Sequence, residues 1–199
     1  MTIERSLLVL ASSSPRRLSL LRQIGIEPDI VAAPTVDETP KKSEAPRNYV
    51  MRMAQTKLES AHHGHPIGHF ILVADTVVAC GRRILDKVEK SGEASKHLAL
   101  LSGRRHRVMT AIGVRGADGR RTFRLVTTMV RFKRLSEAEI THYLNSNEWQ
   151  GKAGSYAIQG LASAFIPAIN GSYSNVVGLP LSETIACLEG LGYRWTVAS

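Results

Sequence analysis

The run Phe70-Ile71-Leu72-Val73-Ala74 constrains this chain more than any other stretch. Five consecutive apolar residues leave no polar face to turn toward water, so a strand built from them must be covered on both sides. That predicts the central strand of an α/β fold, an α+β mixed sheet with helices packed on it. The run leads into Asp75-Thr76. A carboxylate at the C-terminal end of a central strand stands where open α/β sheets gather ligands; an aspartate that caps a following turn is the alternative.

A second strand, Leu7 to Leu10, opens into Ala11-Ser12-Ser13-Ser14-Pro15-Arg16-Arg17 and then the helical spacing Leu18, Leu21, Ile24. Ser14 suits the N-cap, Pro15 the first helical position and Gly25 the C-terminal stop. Backbone N–H groups, the Ser12 and Ser14 hydroxyls and the guanidinium groups of Arg16 and Arg17 then converge as an anion site, most naturally for phosphate. The plainer alternative is a capped helix with two solvated arginines.

Along the rest of the chain, residues 28–33 suggest a short buried strand, followed by a Pro-bracketed loop carrying Asp37 and Glu38. From Pro46 a helix places Val50, Met53, Ala54, Leu58 and Ala61 on one stripe with Lys57 beside it, either snorkelling from the core edge or aimed into a site. The sequence His62-His63-Gly64-His65 reads as an exposed helix exit, and His97, His106 and His142 have no partner at a recognisable spacing. Residues 77–85 suggest a hairpin around Gly81 ending at Asp86-Lys87, and residues 93–101 a helix stopped by Gly103. Residues 105–115 and 122–132 alternate as a half-solvated hairpin, and Ser136 with Glu139 forms a capping box. Residues 150–180 are dense in Gly, Ser and Asn, yet interleaved Tyr156, Ile158, Phe165 and Val177 predict an ordered segment. A last helix runs through Ile185 and Leu188.

Twenty-six Lys plus Arg against seventeen Asp plus Glu give a net charge of +9, which favours nucleotides, nucleic acid or acidic membrane as partners. Cys80 and Cys187 stand alone, so neither a disulfide framework nor a zinc site is expected, and a reducing cytoplasm is the simple inference. No apolar run approaches the roughly 20 residues of a membrane helix, and the first six residues lack a leader pattern, which predicts a soluble, unprocessed protein with no membrane partner. A length of 199 residues fits one large domain or two small lobes, and with no obvious linker the chain reads as a single domain over 1–199.

The phosphate-loop, dinucleotide and nucleophile-elbow signatures are absent. What remains is a cationic set (Arg16, Arg17, Lys57, Lys87, Lys152) with the carboxylates Glu38 and Asp75. Carboxylates beside a polyphosphate repel it unless a hard divalent cation lies between, which suggests metal-assisted phosphoanhydride chemistry.

Taken together these blocks resemble the Maf nucleotide pyrophosphatases, related in fold to the inosine triphosphate pyrophosphatases. The resemblance runs through LASSSPRR at 10–17, Glu38, YVMRMAQTK at 49–57, ADTVV at 74–78, LSG at 101–103, GKAGSYAIQG at 151–160 and GSYSNVVGLPL at 171–181. It implies a hydrolase of phosphoanhydride bonds that splits a nucleoside triphosphate into monophosphate and pyrophosphate. It also implies a Mg2+ or Mn2+ requirement and a two-lobed fold with a cleft between lobes that often dimerises. Asp75 would be the proton acceptor, and Glu38 with Asp75 would hold the metal. Arg16, Arg17, Lys57 and Lys87 would grip the triphosphate, with Ser12, Ser14 and Lys152 in the binding set. Arg16, Thr76 and Gln159 match the branch acting on dTTP and UTP, since a glutamine amide can pair with a pyrimidine carbonyl and imide N–H. The 7-methylguanosine triphosphate branch is the alternative within the family. A septation-regulating or nucleic-acid-binding protein without turnover is the alternative outside it, and intact Glu38, Lys57 and Asp75 speak against that, so no nucleic-acid partner is expected. Two departures stand out: Asp86-Lys87-Val88 where the family usually shows GKP, and Thr110-Ala111-Ile112 where it usually shows TGV.

Overall fold

The computed structural model describes residues 7–64 and 67–195; the first six residues, on which the expectation of an unprocessed N-terminus rests, and His65 of the histidine run lie outside them. Among the described residues the strands are β1 (Leu7–Leu10), β2 (Ile30–Val31), β3 (His69–Cys80), β4 (Arg83–Leu85), β5 (Arg105–Arg115), β6 (Arg121–Arg131) and β7 (Ala168–Asn170). The helices are α1 (Pro15–Gln23), α2 (Pro46–His63), α3 (Ser91–Leu101), α4 (Glu137–Asn145), α5 (Tyr173–Val177) and α6 (Leu181–Gly190). The strands form one mixed sheet in the order β2-β1-β3-β5-β6-β7, with β4 paired to β3 off that path. β1 runs parallel to both β2 and β3, whereas β4 is antiparallel to β3 and β7 to β6. No helix among these residues is long and apolar enough to cross a membrane.

The chain divides into two compact units. The first comprises Met1–Asp75, Ala111–Leu125 and Gly178–Ser199. Here α1 starts on Pro15, which needs no hydrogen-bond acceptor, and ends before Gly25, whose φ of 75° is open to glycine at little cost. α2 likewise starts on a proline, and its stripe of Val50, Met53, Ala54, Leu58 and Ala61 is buried. Leu58 and Ala61 pack with Val9, Ala11, Ile71 and Val73 as one apolar cluster joined by Phe123. Gly113 of β5 is required by that packing, because a Cβ there would stand 2.7 Å from the Phe123 ring.

The second unit comprises Thr76–Thr110 and Val126–Val177. The tight connection Gly81-Arg82 joins β3 to β4, with Gly81 at φ 60°. The capping box opens α4: the Ser136 hydroxyl accepts from the Glu139 N–H, and the Glu139 carboxylate accepts from the Ser136 N–H. An edge-to-face aromatic cluster of His106, Phe132, Tyr143, Tyr156 and Phe165 fills the interior, so the glycine-rich segment is packed, as its interleaved aromatics predict.

Three expectations need correction. The strand near residue 30 is only Ile30–Val31 and half-exposed, because it lies at the sheet edge. β3 does not end at Asp75-Thr76 but continues to Cys80, since β4 gives its second half a partner. Of the presumed half-solvated hairpin, only β6 has an exposed face; β5, lying between β3 and β6, is buried nearly throughout, Arg115 included.

His106 is 1% exposed and its Nε2 lies 2.8 Å from the Tyr156 hydroxyl. Burial pushes its pKa down from 6.5 to about 4. Between those values the unfolded chain binds the proton and the folded one does not, so stability is present above pH 6.5 and falls as pH drops toward 4. The loss is on the order of 3 kcal/mol, and His97, whose pKa burial also lowers, adds to it in the same sense. Denaturant melts of wild type and His106→Gln between pH 7 and 4 should show a much shallower decline in the variant; identical slopes would contradict the assignment.

Candidate functional site

The first unit brings together Ser12, Arg16, Arg17, Glu38, Lys57 and Asp75 of the residues that the sequence suggests. Ser12 ends the turn after β1 and is 6% exposed; its Oγ accepts from the Ser14 N–H at 3.2 Å and from Arg17 Nη1 at 3.1 Å. Ser14 holds the N-cap position of α1 but makes no side-chain cap, and its own N–H donates to Ser12 Oγ. The arginines are not the solvated pair of the plainer alternative. Arg17 Nε donates to the Gly178 carbonyl at 2.8 Å, which ties the start of α1 to the turn before α6. Burial pulls both guanidinium groups below the usual arginine value; at Arg17 the Asp75 carboxylate opposes that shift, Arg16 adds to it and Glu38 opposes it. Arg16, Arg17, Asp75 and Glu38 thus share one electrostatic neighbourhood, and an anion brought there would offset the desolvation of both arginines.

Lys57 settles the choice left open by its helical position. It is 8% exposed, and its Nζ lies 2.5 Å from Asp75 Oδ1 and 2.6 Å from Glu38 Oε1. Asp75 lies on β3 past Leu72, the last residue in register with β1. The Glu38 loop is held against α2 by the Tyr49 hydroxyl, which donates to the Glu38 carbonyl at 2.9 Å, and by Arg52, which pairs with Glu44. A rigid helix and a central strand therefore carry the ammonium and one carboxylate, while the second carboxylate comes from a tethered loop.

Glu38 and Asp75 converge on one point, and their hard oxygens fit Mg2+ or Mn2+, which take one or two protein carboxylates and complete their shell with water and phosphate. Among the described residues no group of three His, Cys, Asp or Glu is placed to hold a metal ion.

The remaining sequence-derived candidates belong to the second unit. Thr76 Oγ1 lies 2.9 Å from Thr110 Oγ1. Lys87 is exposed between β4 and α3. Lys152 donates from Nζ to the Gln150 carbonyl at 2.9 Å, and Gln159 is exposed. The segment bearing these last two is anchored repeatedly. Gly154 packs so closely on Val78 that a Cβ would stand at 2.8 Å, and buried Ser155, at a left-handed φ of 59°, meets His97 Nδ1 at 2.9 Å. The Tyr143 hydroxyl accepts from the Ala157 N–H at 3.0 Å, and Glu148 Oε2 accepts from the Leu161 N–H at 2.8 Å while its carboxylate occupies the space of a Cβ on Gly160. His97, His106, Glu148, Thr110 and Asn175 are the residues that sequence reasoning passed over, since each acts through a partner distant in the chain. Gly154 and Gly160 were the available signal, because both mark close approaches.

Removing one member of a buried charge group leaves the others uncompensated. Lys57→Met should lower stability by about 3 kcal/mol, and Lys57→Met with Asp75→Asn should recover much of that. Chemical denaturation of both variants measures it, and additive losses would show that the two groups are not coupled.

Residues 7–191 match the family described as Maf-like protein. The dTTP/UTP pyrophosphatase of Paramagnetospirillum magneticum is 56% identical over 188 residues, 94% of this chain and 98% of that protein. The dTTP/UTP pyrophosphatase of Caulobacter vibrioides is 53% identical over 187 residues, 94% of this chain and 96% of its own. Among solved structures, the Staphylococcus aureus Ham1 protein aligns over 63% of this chain and 71% of its own at 18% identity and a TM-score of 0.43, too low to bear on the fold. With a family match across almost the whole described chain and relatives more than half identical over nearly their full length, the chain belongs to the Maf family.

Proposed function

We propose that this protein is a nucleoside triphosphate pyrophosphatase that hydrolyses dTTP and UTP to the monophosphate and pyrophosphate. The observation that carries the proposal is the buried Lys57 ammonium held between Asp75 and Glu38, beside two partly desolvated arginines. Such a cluster suits a polyanion and a proton transfer, and the names of the relatives supply the substrate class.

In the proposed reaction a water oxygen attacks the α-phosphorus and the bond from that phosphorus to the bridging oxygen of the β-phosphate breaks. Lys57 engages Oδ1 of Asp75, which leaves Oδ2 to accept the proton from the attacking water. Arg16 and Arg17 at the start of α1 receive the phosphate oxygens and offset the charge that grows on departing pyrophosphate, with Lys57, Lys87 and Lys152 adding to the field; Ser12 keeps Arg17 oriented and Ser14 flanks the phosphates. A divalent cation held by Glu38 and Asp75 would supply further neutralisation of the phosphate oxygens. Arg16, Thr76 and Gln159 select the base and its neighbouring phosphate. Each charge-assisted hydrogen bond contributes roughly 1.5–3 kcal/mol, so the loss of one arginine slows turnover about tenfold or more.

Purified protein given dTTP or UTP with Mg2+ or Mn2+ should release pyrophosphate, and Asp75→Asn should lower the rate by about a hundredfold to ten-thousandfold, the range for a positioned general base. Release of single phosphates, or an Asp75→Asn variant as active as wild type, would overturn the mechanism.

A further inference from the structure

Gln159 stands on a turn of the second unit that is fastened on both sides by α4 and the residues just after it. On one side the Tyr143 hydroxyl accepts from the Ala157 N–H at 3.0 Å, and the Gly160 N–H returns to the Ala157 carbonyl at 3.2 Å, which closes the turn. On the other side Glu148 Oε2 accepts from the Leu161 N–H at 2.8 Å. Between these fastenings Ile158 is buried and Gln159 exposed, so Gln159 is the polar side chain that the turn presents.

The Glu148 carboxylate does more than accept one hydrogen bond. A Cβ built on Gly160 would collide with it, standing 2.5 Å from Glu148 Cδ, so the carboxylate is pressed against the residue next to Gln159. Gly160 has a φ of −112°, outside the left-handed region, so the approach of the carboxylate is what calls for glycine here. Glu148 is itself held in place. Its N–H donates to Ser146 Oγ at 3.3 Å, and Ser146 Oγ donates to the Tyr143 carbonyl at 2.7 Å. The next residue, Trp149, is 3% exposed and donates from Nε1 to the Leu144 carbonyl at 3.0 Å. Tyr143 and Glu148 therefore belong to one hydrogen-bonded piece, and the turn bearing Gln159 is tied to it twice.

We infer that Glu148 is a positioning residue that fixes Gln159 for recognition of the base. Its carboxylate holds the backbone directly after Gln159 and so sets where the Gln159 amide meets the pyrimidine. The inference rests on the dTTP and UTP function proposed above and on the role of Gln159 in it. What it adds is the group that orders that amide before substrate arrives, so that its hydrogen bonds are gained without the cost of ordering the turn on binding.

The test is steady-state hydrolysis of UTP, followed by pyrophosphate release, in wild type, Glu148→Ala, Glu148→Gln, Gly160→Ala, Gln159→Ala and the Glu148→Ala, Gln159→Ala double variant. Glu148→Ala should raise KM about tenfold, the factor of one hydrogen bond to the base, and leave kcat within about twofold, because that contact lies away from the bond that breaks. Glu148→Gln keeps an acceptor for the Leu161 N–H and should restore most of the affinity. Gly160→Ala evicts the carboxylate while leaving Glu148 in the chain, and it should reproduce the Glu148→Ala effect. Since Glu148 acts through Gln159, the double variant should have the KM of Gln159→Ala alone. An unchanged KM in Glu148→Ala, a loss confined to kcat, or KM effects that multiply in the double variant would each overturn the inference, while UTP hydrolysis by wild type still supports the proposed function. Should Glu148→Ala fail to fold, Gly160→Ala takes its place in the cycle with Gln159→Ala, read by the same outcomes. Wild type that releases no pyrophosphate from UTP overturns the proposed function and this inference together.

Discussion

One ammonium group governs the first unit. Lys57, buried on α2, must be neutralised where it sits, and the two carboxylates that neutralise it come from β3 and from the loop before α2. Burial of an isolated charge is prohibitive, so the position of Glu38 and the course of β3 past Asp75 are tied to the same requirement. A helix, a strand and a loop are thereby drawn to a single polar point inside an otherwise apolar layer of Val9, Leu58, Ile71 and Val73. The stability and the proposed chemistry of the site have a common source: the charge arrangement that permits burial also fixes the Asp75 carboxylate through its Oδ1.

Much of this was legible in the sequence, for physical reasons. Pro15 and Pro46 mark helix starts because a residue without an N–H is at no disadvantage there, and both helices start on them. The apolar run at 70–74 is buried on both faces, as its lack of alternation demands. The site candidates of the first unit converge because the parallel β1–β3 pairing sets the turn after β1 beside β3, and α2 packs Leu58 and Ala61 on Ile71 and Val73. Where the sequence misled, a neighbour decided. β3 runs through Asp75 because β4 folds back on it, and β5 loses its solvent face because it lies between two other strands. Neither fact is encoded in the local alternation of either segment. Lys57 could equally have snorkelled; only the long-range meeting with Asp75 and Glu38 decides the matter.

In the second unit the architecture is one of restraint. The segment from Lys152 to Gln159 is held by groups far away in sequence: His97 on Ser155, His106 on Tyr156, Tyr143 on Ala157 and Glu148 at Gly160 and Leu161. A left-handed, fully buried Ser155 persists only because these contacts over-determine it. Histidines with no partner at any sequence spacing thus find their roles in three dimensions, as buried hydrogen-bonding groups of the fold.

The central claim is that Asp75 directs water to the α-phosphorus of a nucleoside triphosphate. It is tested most directly by turnover of dTTP in water enriched in heavy oxygen, with mass spectrometry of both products. The account predicts that the label enters the thymidine monophosphate and that the pyrophosphate remains unlabelled. Label in the pyrophosphate, which requires attack at the β-phosphorus, would contradict it.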